Sequence, residues 1–102
     1  MPERLEPQTR IARKDGMIVE SLSGQTVMLE PEGDRYLRLN ETGGMLWEAL
    51  AEPRTLAELG AHLAARSGID SERAVIDTTA FVRGLLDAGA ARITDDSLRA
   101  GP

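Results

Sequence analysis

Cysteine is absent from this 102-residue sequence, which excludes disulfides, thiolate nucleophiles, iron-sulfur clusters and cysteine-bound zinc. Histidine occurs once, as His62, so no second histidine is present to complete a metal site or to activate a nucleophile. We interpret His62 as a surface or boundary residue of a predicted helix. The sequence therefore predicts no catalytic residue, no metal site and no cofactor.

Aromatic residues and long apolar runs are also scarce. With only Tyr36, Trp47 and Phe81, the core must rest on aliphatic side chains, each contributing about 1.5 to 3 kcal/mol when buried. No stretch resembles an export signal or approaches the length of a membrane span. We therefore expect a cytoplasmic protein with no membrane partner.

The polarity of the sequence divides the chain into three parts. Residues 1–15 and 95–102 are polar and lack a hydrophobic period, which predicts a flexible N-terminal arm and a flexible tail. Residues 16–94 have the size and the apolar content of a single domain.

Three short runs rich in β-branched and aliphatic residues open this domain, at Met17–Leu22, Thr26–Glu30 and Arg35–Leu39. The turn-forming segments between them predict three antiparallel strands joined by tight turns. Because side chains alternate along a strand, Leu37 and Leu39 are expected to face the core. Residues 90–94 predict a short returning strand at the end of the domain.

Three helices with recognisable ends follow the strands. Asn40 can cap the first helix, and Thr55 followed by Glu58 is a capping box for the second. The third begins at Asp70 or Ser71 and stops at Gly89, giving about five turns. The order of elements predicts an α+β, winged-helix-like fold with a three-stranded antiparallel sheet followed by three helices.

The third helix has an apolar arc of about 180°, wider than core packing alone requires. Two neighbouring rows form this arc: Ala74, Thr78, Phe81, Leu85 and Ala88, and beside them Val75, Thr79, Val82 and Leu86. A small sheet with an exposed edge next to such a helix favours the binding of an extended peptide as an extra strand.

A winged-helix DNA regulator and an enzyme of unknown type are the competing hypotheses. Charge opposes nucleic acid as a partner, because the net charge is -5 and Glu72, Asp77 and Asp87 lie on the third helix. The enzyme hypothesis has no defensible set of catalytic groups.

The chain resembles the PqqD-like family, the small domains known as RiPP recognition elements. The resemblance covers about Met17 to Ile93 and is carried by the corner Leu39, Asn40, Thr42 and Gly43, by Leu46 and Trp47, by "RTLAEL" and by "DTTAFVRGLLDAG". It implies binding of the leader segment of a ribosomally synthesised precursor peptide, by strand addition to the third strand in a cleft with the third helix. The peptide-binding positions that it implies are Arg35, Tyr36, Leu37, Arg38, Val75, Asp77, Thr78, Thr79, Val82 and Leu86.

Two kinds of pathway fit the resemblance. The segment "RYLRLNETGGMLW" and the stand-alone length are similar to the discrete proteins of lasso-peptide clusters, whose partner is a separate cysteine-protease subunit. The segment "LEPEG" is similar to the pyrroloquinoline quinone chaperones, whose partner is a radical SAM enzyme. We prefer the lasso-peptide interpretation.

Overall fold

A computed structural model of the chain describes residues 5–23, 25–30 and 36–94 and contains two small antiparallel sheets and three helices within them. The strands are β1 Arg10–Arg13, β2 Ile18–Leu22, β3 Gln25–Leu29, β4 Tyr36–Leu39, β5 Arg54–Thr55 and β6 Ala91–Thr94. The helices are α1 Glu41–Ala49, α2 Leu56–Ser67 and α3 Ser71–Ala88. The α+β class, the three helices and the first sheet are as predicted.

The first sheet has the strand order β2-β3-β4 and lies with one face on the core. In its register Met28 of β3 is opposite Leu37 of β4, and Thr26 is opposite Leu39. Met28 and Leu39 are buried and Leu37 is half-buried, so alternate residues face inward as the sequence pattern predicts.

The second sheet, with the order β5-β1-β6, corrects the prediction of a flexible arm over residues 1–15. Its central strand β1 lies within that arm, and Ile11 is fully buried. The prediction failed because a strand of four residues between polar segments is too short to show an alternation of apolar and polar residues. Its pairing partners also lie far along the chain. The returning strand predicted at residues 90–94 is confirmed as β6. Residues 1–4 of the arm and the whole tail 95–102 lie outside the described residues.

The helix ends follow the capping signals of the sequence. The Asn40 side chain accepts a hydrogen bond from the Gly43 N–H at 2.8 Å, and Thr55 and Glu58 form the complete capping box. Asp70 accepts from the Arg73 N–H at 2.8 Å at the start of α3. Gly89 ends α3 in the left-handed conformation with φ of 77°, which glycine adopts without strain.

Two arginines join the second sheet to the C-terminal end of α1, where helix carbonyls lack partners within the helix. Arg13 donates to the Trp47 carbonyl oxygen and lies 4.6 Å from the centroid of the Trp47 ring. Arg54 donates to the Ala49 carbonyl oxygen at 3.1 Å. Burial lowers the pKa of the Arg13 guanidinium, and the charge of Glu48 partly opposes that shift.

None of the helices in the described ranges has the length and apolarity needed to cross a membrane.

Candidate functional site

The open edge of β4 lies beside α3 and forms one wall of a groove. Among the described strands, β4 pairs only with β3, so its other edge carries backbone groups without a strand partner. Two cavities, each lined by residues of β4 and by residues of α3 or its C-terminal end, lie along this edge. We call them together the β4–α3 groove and name its two ends after Phe81 and Ala88.

The Phe81 end is the more polar part of the groove and has a volume of about 500 Å³. Arg38 contributes a cation from the strand side, and Asp77 contributes a carboxylate from the helix side. Asp77 also forms an exposed ion pair with Arg73, with 3.3 Å between the guanidinium Nε and a carboxylate oxygen. The complete lining is Arg38, Leu39, Asn40, Thr42, Gly43, Asp77, Ala80 and Phe81.

The Ala88 end is smaller, at about 240 Å³, and more apolar. Met17 and Met28 supply flexible thioether side chains that can adapt to an irregular ligand. Tyr36 and Leu37 form its strand wall, with Glu30, Ala88 and Ala90 completing the lining. This end therefore suits an apolar side chain, whereas the Phe81 end suits a polar or charged one.

The helix wall of the groove is a stripe along one side of α3. Asp77 and Phe81 line one end and Ala88 lines the other. At 3.6 residues per turn, Gly84 falls on the same stripe, between Phe81 and Ala88. A Cβ atom added to Gly84 would meet no atom within 4 Å, so the middle of the helix wall is open.

The corner between β4 and α1 closes the Phe81 end. Gly43 is buried in the first turn of α1, and a Cβ placed there would lie 3.2 Å from both the Leu39 Cβ and a ring carbon of Phe81. A Cβ on Gly44 would lie 2.9 Å from the Thr26 hydroxyl oxygen. The two glycines therefore allow α1 to approach both the sheet and the ring that lines the groove.

The structure brings four of the ten predicted peptide-binding residues to the groove: Tyr36, Leu37, Arg38 and Asp77. The prediction of peptide contacts is wrong for Thr78 and Val82, because both side chains are buried in the core and neither is accessible to a peptide. Leu86 packs partly against the core. Arg35 lies outside the described residues.

Val75 and Thr79 line a different cavity, on the opposite side of α3. Its other walls are the segment from Leu5 to Pro7 and helix α2, and its volume is about 260 Å³. The second apolar row of α3 thus divides between the core and this cavity and does not form the helix wall beside β4. The helix residues that the prediction missed are Ala80, Phe81 and Ala88. Ala80, Phe81 and Ala88 are three, four and eleven residues after Asp77, a helical spacing that places all four on one side of α3. This spacing could have been read from the sequence.

No histidine lies among the described residues that line the groove. Within residues 5–23, 25–30 and 36–94, no cluster of three or more His, Asp or Glu side chains could hold a metal ion. His62 is half-buried on α2, in a shallow cavity with Arg54 and Glu58. The pKa of Glu58 is lowered mainly by the hydrogen bond from the Thr55 N–H, so this shift belongs to helix capping.

The comparisons with known proteins concern the part of the chain that contains both walls of the groove. The family model described as Coenzyme PQQ synthesis protein D (PqqD) matches residues 25–90, more than half of the chain. Among solved structures, the chain is similar to the one described as "TbiB1 in Complex with the TbiA(beta) Leader Peptide". The TM-score is 0.71 with 20% identity, covering 79% of this chain and 94% of the other, a likeness that shows the fold alone. The comparison with curated proteins finds no match.

Proposed function

Because the chain belongs to the PqqD family, we propose that it binds the leader segment of a ribosomally synthesised precursor peptide and presents that peptide to processing enzymes. The leader lies as an added strand along β4, with alternate side chains in the β4–α3 groove. The chain itself contributes binding and no chemical step. The observation that carries this proposal is the unpaired edge of β4 beside a groove that is polar at one end and apolar at the other.

The backbone of β4 can supply much of the affinity. In an antiparallel pair, alternate residues direct their N–H and C=O groups toward the partner strand. Half of the four residues of β4 therefore face the open edge, with two donors and two acceptors. Each hydrogen bond contributes about 0.5 to 1.5 kcal/mol net, and each of two apolar anchors about 1.5 to 3 kcal/mol. The total of about 5 to 12 kcal/mol, before the cost of ordering the peptide is subtracted, is of the same order as the roughly 8 kcal/mol of a micromolar complex.

The side chains of the groove supply selectivity. At the Phe81 end Asp77 can pair with a cationic side chain of the leader, and Arg38, at the edge of β4, can pair with an acidic one. Met17, Met28 and Leu37 can cover an apolar leader residue at the Ala88 end. A leader with an apolar anchor and a charged residue on the same face of the added strand would satisfy both ends.

We favour a lasso-peptide pathway in the cytoplasm, in which a separate cysteine-protease subunit receives the bound precursor. The support is the corner segment that follows β4 and the likeness of the fold to a protein solved with a leader peptide. A pyrroloquinoline quinone pathway with a radical SAM enzyme is the second candidate, favoured by the description of the family model. Titrating the peptide-loaded chain with each purified enzyme separates the two candidates, since only the true partner should form a ternary complex.

A titration with modified peptides tests strand addition directly. The probe is a synthetic peptide spanning the leader of the precursor encoded beside this chain, measured by isothermal titration calorimetry. A second set carries N-methyl groups on single backbone amides, which remove one donor each without changing a side chain. Strand addition predicts that affinity falls at every second amide and changes little at the amides between them.

Uniform effects of N-methylation would refute strand addition, and no saturable binding at tens of micromolar would refute leader binding altogether. Titration with a DNA duplex at two salt concentrations is the matching test for the regulator hypothesis. A DNA-binding regulator would show affinity that falls steeply with salt, and we expect no binding for this acidic chain.

A further inference from the structure

The outer face of the first sheet carries a row of exposed apolar side chains. Ile18 of β2 is opposite Leu29 of β3, and Leu29 is opposite Tyr36 of β4. Residues directly opposite each other point to the same face of a sheet, so the three side chains form one row across it. Their exposed fractions are 53%, 40% and 58%. We call Ile18, Leu29 and Tyr36 the outer row.

A second row on the same face is polar at both ends. It consists of Glu20, Val27 and Arg38, which are opposite one another in the same register. Glu20 and Arg38 are exposed, whereas Val27 is half-buried. The residue opposite Arg38 on β3 is thus an uncharged valine.

Both rows end at the open edge of β4, where the proposed peptide would bind. A peptide that pairs with β4 extends the sheet by one strand, and its side chains alternate between the two faces. One of its residues then lies beside Leu37 and points into the groove. The residues before and after that one point outward, beside Tyr36 and Arg38. This placement holds whether the peptide runs parallel or antiparallel to β4.

We infer that the outer face is a second recognition surface for the same peptide, joined to the groove across the open edge of β4, where Tyr36 and Arg38 border both. Tyr36 at the end of the outer row takes an aromatic or β-branched side chain, because such residues pair well across strands and the row offers an apolar neighbour. Arg38 takes an acidic side chain two residues away. This inference rests on the proposed function, and it adds that the leader is read on both faces of the added strand.

Double-mutant cycles between the protein and the peptide test this geometry. The probe is the synthetic leader peptide already described, prepared also with each residue replaced in turn by alanine. Each peptide is titrated against the wild-type chain, Tyr36→Ser and Arg38→Gln. We expect Tyr36→Ser to weaken binding about fivefold, and this loss to disappear for the peptide that lacks the residue beside Tyr36. Arg38→Gln should couple in the same way to a peptide residue two positions away.

Ile18→Ser is the matched control. It removes an equally exposed apolar side chain from the same row, but β2 is two strands further from the peptide, at about 4.8 Å per strand. Its affinity should stay within about twofold of the wild-type value and should couple to no peptide position. Circular dichroism and light scattering of each free variant check the fold and the molecular mass.

Three results would overturn the inference: no peptide position coupled to Tyr36, coupled positions that are not two residues apart, or a change of molecular mass in Tyr36→Ser. The last result would assign the outer row to contact between copies of the chain. Binding that persists without coupling removes only this inference, whereas a wild-type chain that does not bind the peptide removes the proposed function as well.

Discussion

Two different substitutions at Gly84 are expected to affect stability and peptide binding separately. It lies in the middle of α3, where glycine is less favourable than alanine by about 0.5 to 1 kcal/mol because of its backbone entropy. An added Cβ meets no atom within 4 Å, so no steric cost offsets this gain. Gly84→Ala should therefore raise the free energy of unfolding by about 0.5 to 1 kcal/mol, which corresponds to roughly 2 to 8 °C in Tm for a domain of this size.

A larger side chain at the same position should obstruct the groove. Gly84→Phe places a ring between the Phe81 and Ala88 ends, where it competes with the peptide side chain that would otherwise be buried. Loss of one apolar anchor of about 1.5 to 3 kcal/mol corresponds to roughly 10- to 100-fold weaker binding. Thermal unfolding by circular dichroism measures the stability, and calorimetric titration with the leader peptide measures the affinity.

Arg83→Phe is the control for this experiment, because it places the same ring about 100° around the helix from Gly84, on an exposed position. Its affinity should stay close to the wild-type value. If a folded Gly84→Phe variant bound the peptide with unchanged affinity, the β4–α3 groove would not be the binding site. A lower Tm in Gly84→Ala would show instead that the open space beside Gly84 is filled in solution.

Three further substitutions address the core, a helix cap and the corner. Val82→Ala truncates a buried side chain and should lower the free energy of unfolding, measured by urea denaturation, by about 2 kcal/mol. Val75→Ala truncates an exposed side chain and should change the same quantity by less than about 0.5 kcal/mol. Glu58→Gln retains a capping acceptor but removes the charge. Because the fold lowers the pKa of Glu58, the wild-type chain should be more stable than Glu58→Gln at neutral pH. This difference in stability should vanish as acid protonates Glu58 in the folded state. Equal Tm differences at pH 7 and pH 2 would contradict this. Gly44→Ala should destabilise the chain by about 1 to 3 kcal/mol through its contact with the Thr26 hydroxyl, and Thr26→Ala in the same chain should restore part of the loss.

The elements that could be predicted from the sequence are those specified by local chemistry. The capping residue Asn40 and the capping box of Thr55 and Glu58 bond to groups three residues away, so their geometry is determined within one helical turn. The alternation through Leu37 and Leu39 likewise determines which face of β4 is buried. Strand β1 could not be predicted in this way, because Arg10–Arg13 are held by partners from two distant parts of the chain.

The helix wall of the groove shows a different limit. The sequence identifies two neighbouring apolar rows on α3, but it does not say which side of this helix lies beside β4. That choice depends on how α2 and the segment from Leu5 to Pro7 pack against the helix. The predicted residues Val75 and Thr79 lie on the side of α3 that faces α2. Phe81 and Ala88 lie on the side that faces β4. Strand positions were more predictable because β4 has only two faces.

The pairing of β1 with β6 has a consequence for how the chain folds. Arg10 lies opposite Thr94, so β1 can pair with β6 only after the far end of the described chain has been synthesised. Contacts of such long sequence separation form late, since the loop between them must first be closed. During synthesis β1 can pair with β5 before β6 emerges, and the second sheet is complete only once β6 has followed. We therefore expect the last step of folding to be the pairing of β6 with β1, which begins next to Ala90 at the Ala88 end of the groove.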